Sequence, residues 1–241
     1  MSENTSRFVA HVQRAITNLG APSPDAAYEY SCLPLCVIDA VFSLGVRYES
    51  TARTVKEWCT RYHWAQQRSA TAKERTVTDF LSVLQPYENR WEAMATEVFR
   101  NRQRTSTRSG ILKAEAVYRF SKALQKFGLE SFADALNSGL RQDLKNEIKD
   151  IPGQGSGLSL NYFLILAGHT DVVKADRMVR RFVADALGVR DVPPELAESL
   201  VKGASLMLRA EVPGLTPNLL DNKIWNYQRD KDEKVSRRCR T

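Results

Sequence analysis

The residues best placed to do chemistry lie in one stretch, Ile151 to Phe182, which reads IPGQGSGLSLNYFLILAGHTDVVKADRMVRRF. Glycines stand at alternate positions, Gly153, Gly155 and Gly157, with Gln154 and Ser156 between them, in a break between two apolar helical patterns. Such a turn exposes successive backbone N–H groups, and the helix N-terminus that follows adds its dipole, so a phosphate can be held without any side chain. The same composition also serves as an ordinary connection between helices. No Lys-Ser or Lys-Thr follows and no strand pattern precedes, so the turn is not a nucleotide-binding P-loop. Further on, Asp176 heads the periodic segment 177–187. An aspartate there can cap a helix, or it can present a carboxylate to a substrate.

The net charge of +7 attracts polyanions, nucleic acid first, or simply makes a basic soluble protein. Its distribution is more informative. Residues 100–108, RNRQRTSTR, bring Arg100, Arg102, Arg104 and Arg108 together with no acid, among hydroxyls and amides that also donate to phosphate. The tail 230–241 mixes Lys231, Lys234, Arg237, Arg238 and Arg240 with Asp230, Asp232 and Glu233, and is expected to be flexible.

These groups must be positioned by helices. The apolar residues of 34–44 almost encircle the segment, predicting a buried helix stopped by Gly45. Ser23-Pro24-Asp25 reads as a helix start. Further helices are predicted over about 50–62, 76–84, 91–99, 111–127, 131–149, 158–167, 177–187, 194–209 and 218–229. No segment alternates in the manner of a strand, so the fold class is all-α, with two helical lobes and a cleft suiting a chain of 241 residues. At 43% hydrophobic and 26% charged residues the chain builds a core, and no apolar run reaches the length of roughly 18 residues that spans a bilayer. The start MSENTS is too polar for a signal peptide. Cys32, Cys36, Cys59 and Cys239 show no zinc-like pairing and are expected to be reduced thiols in a cytoplasmic protein.

The stretch from about 130 to 185 resembles the helix-hairpin-helix (HhH-GPD) superfamily of DNA glycosylases. In that family an apolar residue and Pro-Gly-x-Gly precede a helix, and an aspartate heads a later helix. Ile151-Pro152-Gly153-Gln154-Gly155 matches the hairpin, and Val173 to Arg181 matches the surroundings of the catalytic aspartate, here Asp176. Gly110 to Ala114 is a weaker match to an upstream helix. The resemblance implies a single glycosylase unit over 1–241: a helical lobe over about 25–130, a hairpin and catalytic lobe over about 131–190, and C-terminal helices 194–229 packing back. The departures matter too. The family's lyase lysine would stand at Gly157, the histidine often found two residues after the aspartate is Met178, and only Cys239 lies where members with an iron–sulfur cluster carry four cysteines.

By this resemblance Asp176 stabilises the cationic sugar that forms as a base departs, and it orients water. A base must leave the duplex stack first. The resemblance puts the gap-filling wedge in Gly45-Val46-Arg47-Tyr48, with Arg47 or Tyr48 inserting, although an ordinary helix–helix connection would look the same. Asp39, Phe42, Trp58, Tyr162, His169 and Trp225 are candidates for a base pocket, each with the alternative of plain core or, for His169, a helix cap. The expected molecule is a monomeric, monofunctional glycosylase of double-stranded DNA that leaves an abasic site. It needs no metal and no nucleotide cofactor, and at most a monovalent cation held by hairpin carbonyls. The excised base is undetermined, and both repair and defence against phage DNA with modified bases fit. The alternatives are a non-catalytic helix-hairpin-helix module that binds DNA structures and a helical protein–protein adaptor.

Overall fold

A computed structural model of the chain describes residues 3–19, 30–71, 73–107, 110–137 and 141–238. Among these there are twelve α-helices and no β-strand. In chain order they are α1 (Glu3–Ala15), α2 (Leu33–Phe42), α3 (Tyr48–Tyr62), α4 (Val77–Leu84), α5 (Trp91–Ala93), α6 (Lys113–Lys126), α7 (Phe132–Asn137), α8 (Gln142–Lys149), α9 (Leu158–Leu166), α10 (Arg177–Leu187), α11 (Pro194–Leu208) and α12 (Pro217–Arg238). No helix among the described residues is long and apolar enough to cross a membrane.

The chain divides into two compact units, one formed by Ala27–Gly168 and the other by Met1–Ala26 together with His169–Thr241. The sequence grouped hairpin and Asp176 in one lobe, 131–190; the boundary at Gly168/His169 assigns them to different units.

The Ala27–Gly168 unit is built around α2, every residue of which is buried, as its all-round apolar pattern predicts. It packs on α3, α6 and α9. Beside it Trp58 gathers Tyr62, Trp64, Phe80 and Phe99 into an aromatic cluster, which Phe42 joins through Phe99. Helix α4 begins in a capping box: the Thr76 hydroxyl accepts from the amide of Asp79, and the Asp79 carboxylate accepts from that of Thr76, each at 3.0 Å.

The other unit packs α1 against α10 and α11, and α12 against both of those. Phe182 sits at its centre, with Phe8, His11 and Tyr227 set edge-on around it.

Several elements differ from the sequence reading. Helix α1 was not anticipated, because its buried face is only Phe8 and Val12. The single helix expected over 131–149 is two, α7 and α8, because Arg141 is extended (φ −60°, ψ 140°) and α8 starts anew after it. In keeping with that break, Leu136 is exposed. The helix expected over 91–99 keeps α geometry for one turn and widens into a π-helix over Met94–Val98. The start at Ser23-Pro24-Asp25 lies outside the described residues. The tail expected to be flexible from 230 continues α12 to Arg238. Asp232 receives both Arg181 guanidinium nitrogens at 2.8 and 3.0 Å, and Lys231 reaches Asp185 at 2.7 Å, so α10 guides the first part of that extension. Exposed pairs of this kind contribute about 0–1 kcal/mol each, and their effect is to orient the helix more than to stabilise it.

Candidate nucleic-acid interface and carboxylate site

Helix α8 ends at a tight turn whose first apolar residue, Ile151, is buried. The amide of Gln154 donates back to the Ile151 carbonyl at 2.8 Å, and that of Gly157 to the Gln154 carbonyl at 2.9 Å. Gly153 and Gly157 take φ of +84° and +72°, values that favour glycine. Gly153, Gly155 and Ser156 are exposed, and their amides have no hydrogen-bond partner among the described residues. Two assignments change. Gln154, read as a DNA contact, is only 1% exposed, and its side-chain oxygen accepts from the Ser159 hydroxyl, so it braces the turn from within. Gly157 is buried, and a Cβ there would stand 2.9 Å from Cε and 3.6 Å from Nζ of Lys149, an amine at the place of the absent lysine.

The arginine-rich segment is bonded to this turn. The Thr105 hydroxyl donates to the Pro152 carbonyl at 2.9 Å, and Thr105 approaches Gly153 so closely that a Cβ there would clash with its hydroxyl. On its other side the segment is bonded to α3, through Asn101 to Thr54 (2.9 Å) and Gln103 to Ser50 (3.0 Å). A cleft of about 240 Å³ lies there, lined among others by Arg53, Glu57, Arg100 and Arg102. Lys113 completes the web. Only 1% exposed, its ammonium donates to the carbonyls of Phe42 and Leu44 at 2.8 Å and to the Gln103 side chain at 3.2 Å. It thereby terminates α2 and fixes the start of the expected wedge, where Arg47 is exposed and Tyr48 half-buried at the head of α3. The end of α2, the arginine segment and the glycine turn are thus joined by hydrogen bonds within the Ala27–Gly168 unit. The arginines are less free than their spacing implies: Glu92 pairs with Arg102 at 3.1 Å and Arg104 at 3.5 Å, and Arg104 also donates to the Gly110 carbonyl. Arg108 lies outside the described residues.

Two glycines of the turn should respond differently to substitution. Gly153→Ala would combine a left-handed backbone with the Thr105 clash and is expected to destabilise the unit by at least about 1–2 kcal/mol. Gly155 has an ordinary φ and only the Lys149 carbonyl near its Cβ position, at 3.8 Å, so Gly155→Ala should fold like the wild type. Urea unfolding of both variants checks this; equal loss in the two would contradict the turn geometry.

Asp176 belongs to the other unit. The approach to it is anchored by buried Val173 and Ala175, and by α12, whose Asn218 donates from its amide to Thr170 and from its side chain to His169, both at 3.2 Å. Asp176 then takes the N-cap of α10 in extended backbone, half-buried, its Oδ1 accepting from the amides of Met178 (2.8 Å) and Val179 (3.2 Å). Next to it in charge, if not in sequence, is a group that the spacing of residues did not disclose. Asp221 of α12 is buried, accepts from the backbone amide of Lys174, and feels the Asp176 charge. Burial first, and that charge second, push its carboxyl well above the ordinary carboxylate range.

A family described as a domain of unknown function (DUF8548) matches residues 6–229. The chain belongs to that family. The match runs through both units. No curated protein and no solved structure matches the chain.

The remaining candidates separate in this DUF8548 protein. Asp39 and Tyr162 come together: the Asp39 carboxylate accepts from Tyr162 at 3.3 Å and from Tyr30, which the sequence reading missed, at 2.9 Å. Burial and the neighbouring Asp39 carboxylate push the Tyr30 phenol far up. Phe42 and Trp58 are aromatic core of the same unit and are not available to a base. His169 and Trp225 lie in the other unit; His169 lends its carbonyl to Asn218, and Trp225 carries the Arg229 guanidinium 5.2 Å above its ring. The described cysteines, Cys32, Cys36 and Cys59, are free and buried, with thiols that burial pushes up and away from reactivity. Among the described residues no cluster of three His, Cys, Asp or Glu is placed to hold a metal ion.

Proposed function

We propose that this DUF8548 protein is a monofunctional DNA glycosylase that hydrolyses the N-glycosidic bond of a modified or damaged base flipped out of double-stranded DNA. The observation that carries the reading is the hydrogen-bonded continuity of the glycine turn, the arginine segment and the end of α2, with three unbonded amides at exposed residues of the turn. Exposed amides and nearby arginines suit a phosphate backbone in any sequence. The helix-hairpin-helix identity of α8, the turn and α9, and a DNA-binding cleft, are part of this proposal.

The chemistry falls to Asp176. As the bond from C1′ to the base breaks, positive charge grows on the sugar, and a carboxylate lowers the energy of that state. The base leaves with the electron pair of the broken bond, water adds its oxygen to C1′, and the proton that water gives up passes by way of the carboxylate to the departed base, leaving an abasic site. No cofactor is required beyond, at most, a monovalent cation on hairpin carbonyls. The protein acts as a cytoplasmic monomer in base-excision repair or in defence against phage DNA with modified bases. One observation favours the non-catalytic DNA-binding module instead: Asp176 already serves two amides as a cap.

Incubation with damaged and phage-modified DNAs, followed by mass spectrometry of released bases, decides between these readings. The glycosylase releases a free base and leaves strands intact until alkali is added. Borohydride present during turnover should trap no covalent adduct. An adduct lost in Lys149→Arg would show that the amine beside Gly157 acts as a lyase nucleophile, and the monofunctional reading would fail.

A further inference from the structure

We propose that Asp176 and Asp221 work as a pair, in which Asp221 is a buried positioning residue that holds the Lys174–Asp176 backbone from α12. Its catalytic meaning rests on the reading of Asp176 as the reactive carboxylate; the pair itself does not.

The geometry supplies the argument. Asp221 is 7% exposed, and its Oδ1 is fully buried with no hydrogen-bond partner among the described residues. A buried carboxylate oxygen left in that condition is costly when charged, because neither water nor a donor solvates it. The carboxyl does accept the backbone amide of Lys174, two residues before Asp176. Through that bond α12 sets where the N-cap residue begins. The charges that act on Asp221 are those of Asp176, which opposes its ionisation, and Lys174, which favours it, and burial outweighs both. Lys223, two residues along α12, sends its ammonium to the Asn18 carbonyl at 3.0 Å. With its Oδ1 unsolvated by burial and the charge of Asp176 opposing its ionisation, Asp221 keeps its proton. Asp221 is thus a neutral acid whose carbonyl oxygen orients the segment while its hydroxyl adds no second negative charge beside Asp176.

The sign of the pH dependence follows. Asp221 holds its proton more tightly folded than unfolded, so it contributes stability that is full below the unfolded value of about 3.9 and is lost as pH rises through the folded one. Asparagine copies the neutral acid and keeps the acceptor for Lys174. Asp221→Asn should therefore melt at or above wild type, with the advantage growing as pH rises from acid to alkaline. Asp221→Leu, which lacks the acceptor, should melt lower at every pH. In the full-length protein labelled with ¹³C-aspartate, the Asp221 carboxyl resonance, assigned by its absence in Asp221→Asn, should titrate well above the usual carboxylate range. In Asp176→Asn its midpoint should fall as the opposing charge is removed.

An Asp221 that titrates in the usual range, or a midpoint unmoved by Asp176→Asn, overturns the pair. None of these measurements uses DNA, so a protein that releases no base can still possess the pair, and an active glycosylase can lack it. With an excised base in hand, wild-type excision should decline on the alkaline side where Asp221 titrates, and Asp221→Asn should retain its activity there. Parallel decline in both overturns the functional half of the inference.

Discussion

Asp176→Asn should lower base excision by at least about 10²-fold while the chain remains folded and bound to DNA. Asparagine is as good an N-cap as aspartate, and its side-chain oxygen can accept from the amides of Met178 and Val179 as Oδ1 does now. What the substitution removes is the charge that would face a cationic sugar. Asp176→Ala removes charge and cap together, and should cost about 1 kcal/mol of stability in addition. Single-turnover base release, anisotropy with a labelled duplex and urea unfolding separate the two roles. Wild-type excision by the asparagine variant would leave Asp176 a helix cap and nothing more.

The second large effect is expected at Lys113. Replacing it with methionine keeps the stem and deletes the ammonium, which strands the carbonyls of Phe42 and Leu44 and the Gln103 side chain. An abandoned buried acceptor costs about 1–3 kcal/mol, so a loss of several kcal/mol is anticipated at alkaline pH. If the protein is the glycosylase proposed above, DNA affinity should fall as well, because the same amine joins the end of α2 to the arginine segment. Burial holds the Lys113 amine down to about 8, against about 10.4 in an unfolded chain. The folded protein therefore releases this proton first, and its stability relative to Lys113→Met should rise with pH over that window, by up to about 3 kcal/mol. Denaturant unfolding at pH 7 and pH 10 measures the change; a gap that narrows toward pH 10 would contradict it.

How much of this was legible beforehand depends on the range of the interactions. The buried character of α2, the capped start of α10 and the glycine-stopped end of α6 were readable, because periodicity and caps are local signals. The turn at Gly153 was readable for the same reason. Its closeness to Thr105 was not, since nothing near Thr105 marks it as a partner of Pro152. Lys113 and Asp221 were invisible as well. Each is a single charged residue in a helical pattern, where a solvated position is the ordinary expectation. Only tertiary packing turned one into a clamp on the end of α2 and the other into a neighbour of Asp176. The arginine segment misled in the opposite direction, because Glu92, which answers two of its charges, lies upstream of the run. The extension of α12 escaped notice since its support comes from Arg181 and Asp185 on α10.

The way the chain is partitioned between its two units constrains the order in which it can be made. Helix α1 is translated before the Ala27–Gly168 unit, yet α10 and α11, which cover Phe8 and Val12, are translated only after all of it. During that interval the unit carrying the hairpin has its whole sequence available and can collapse by itself, since domains generally fold as units during synthesis. Helix α1 meanwhile keeps an apolar face in water, a natural substrate for a chaperone. A ribosome stalled soon after Gly168 would then display a folded hairpin unit beside an incomplete one, and protection of α1 from protease would come late, with the emergence of α11.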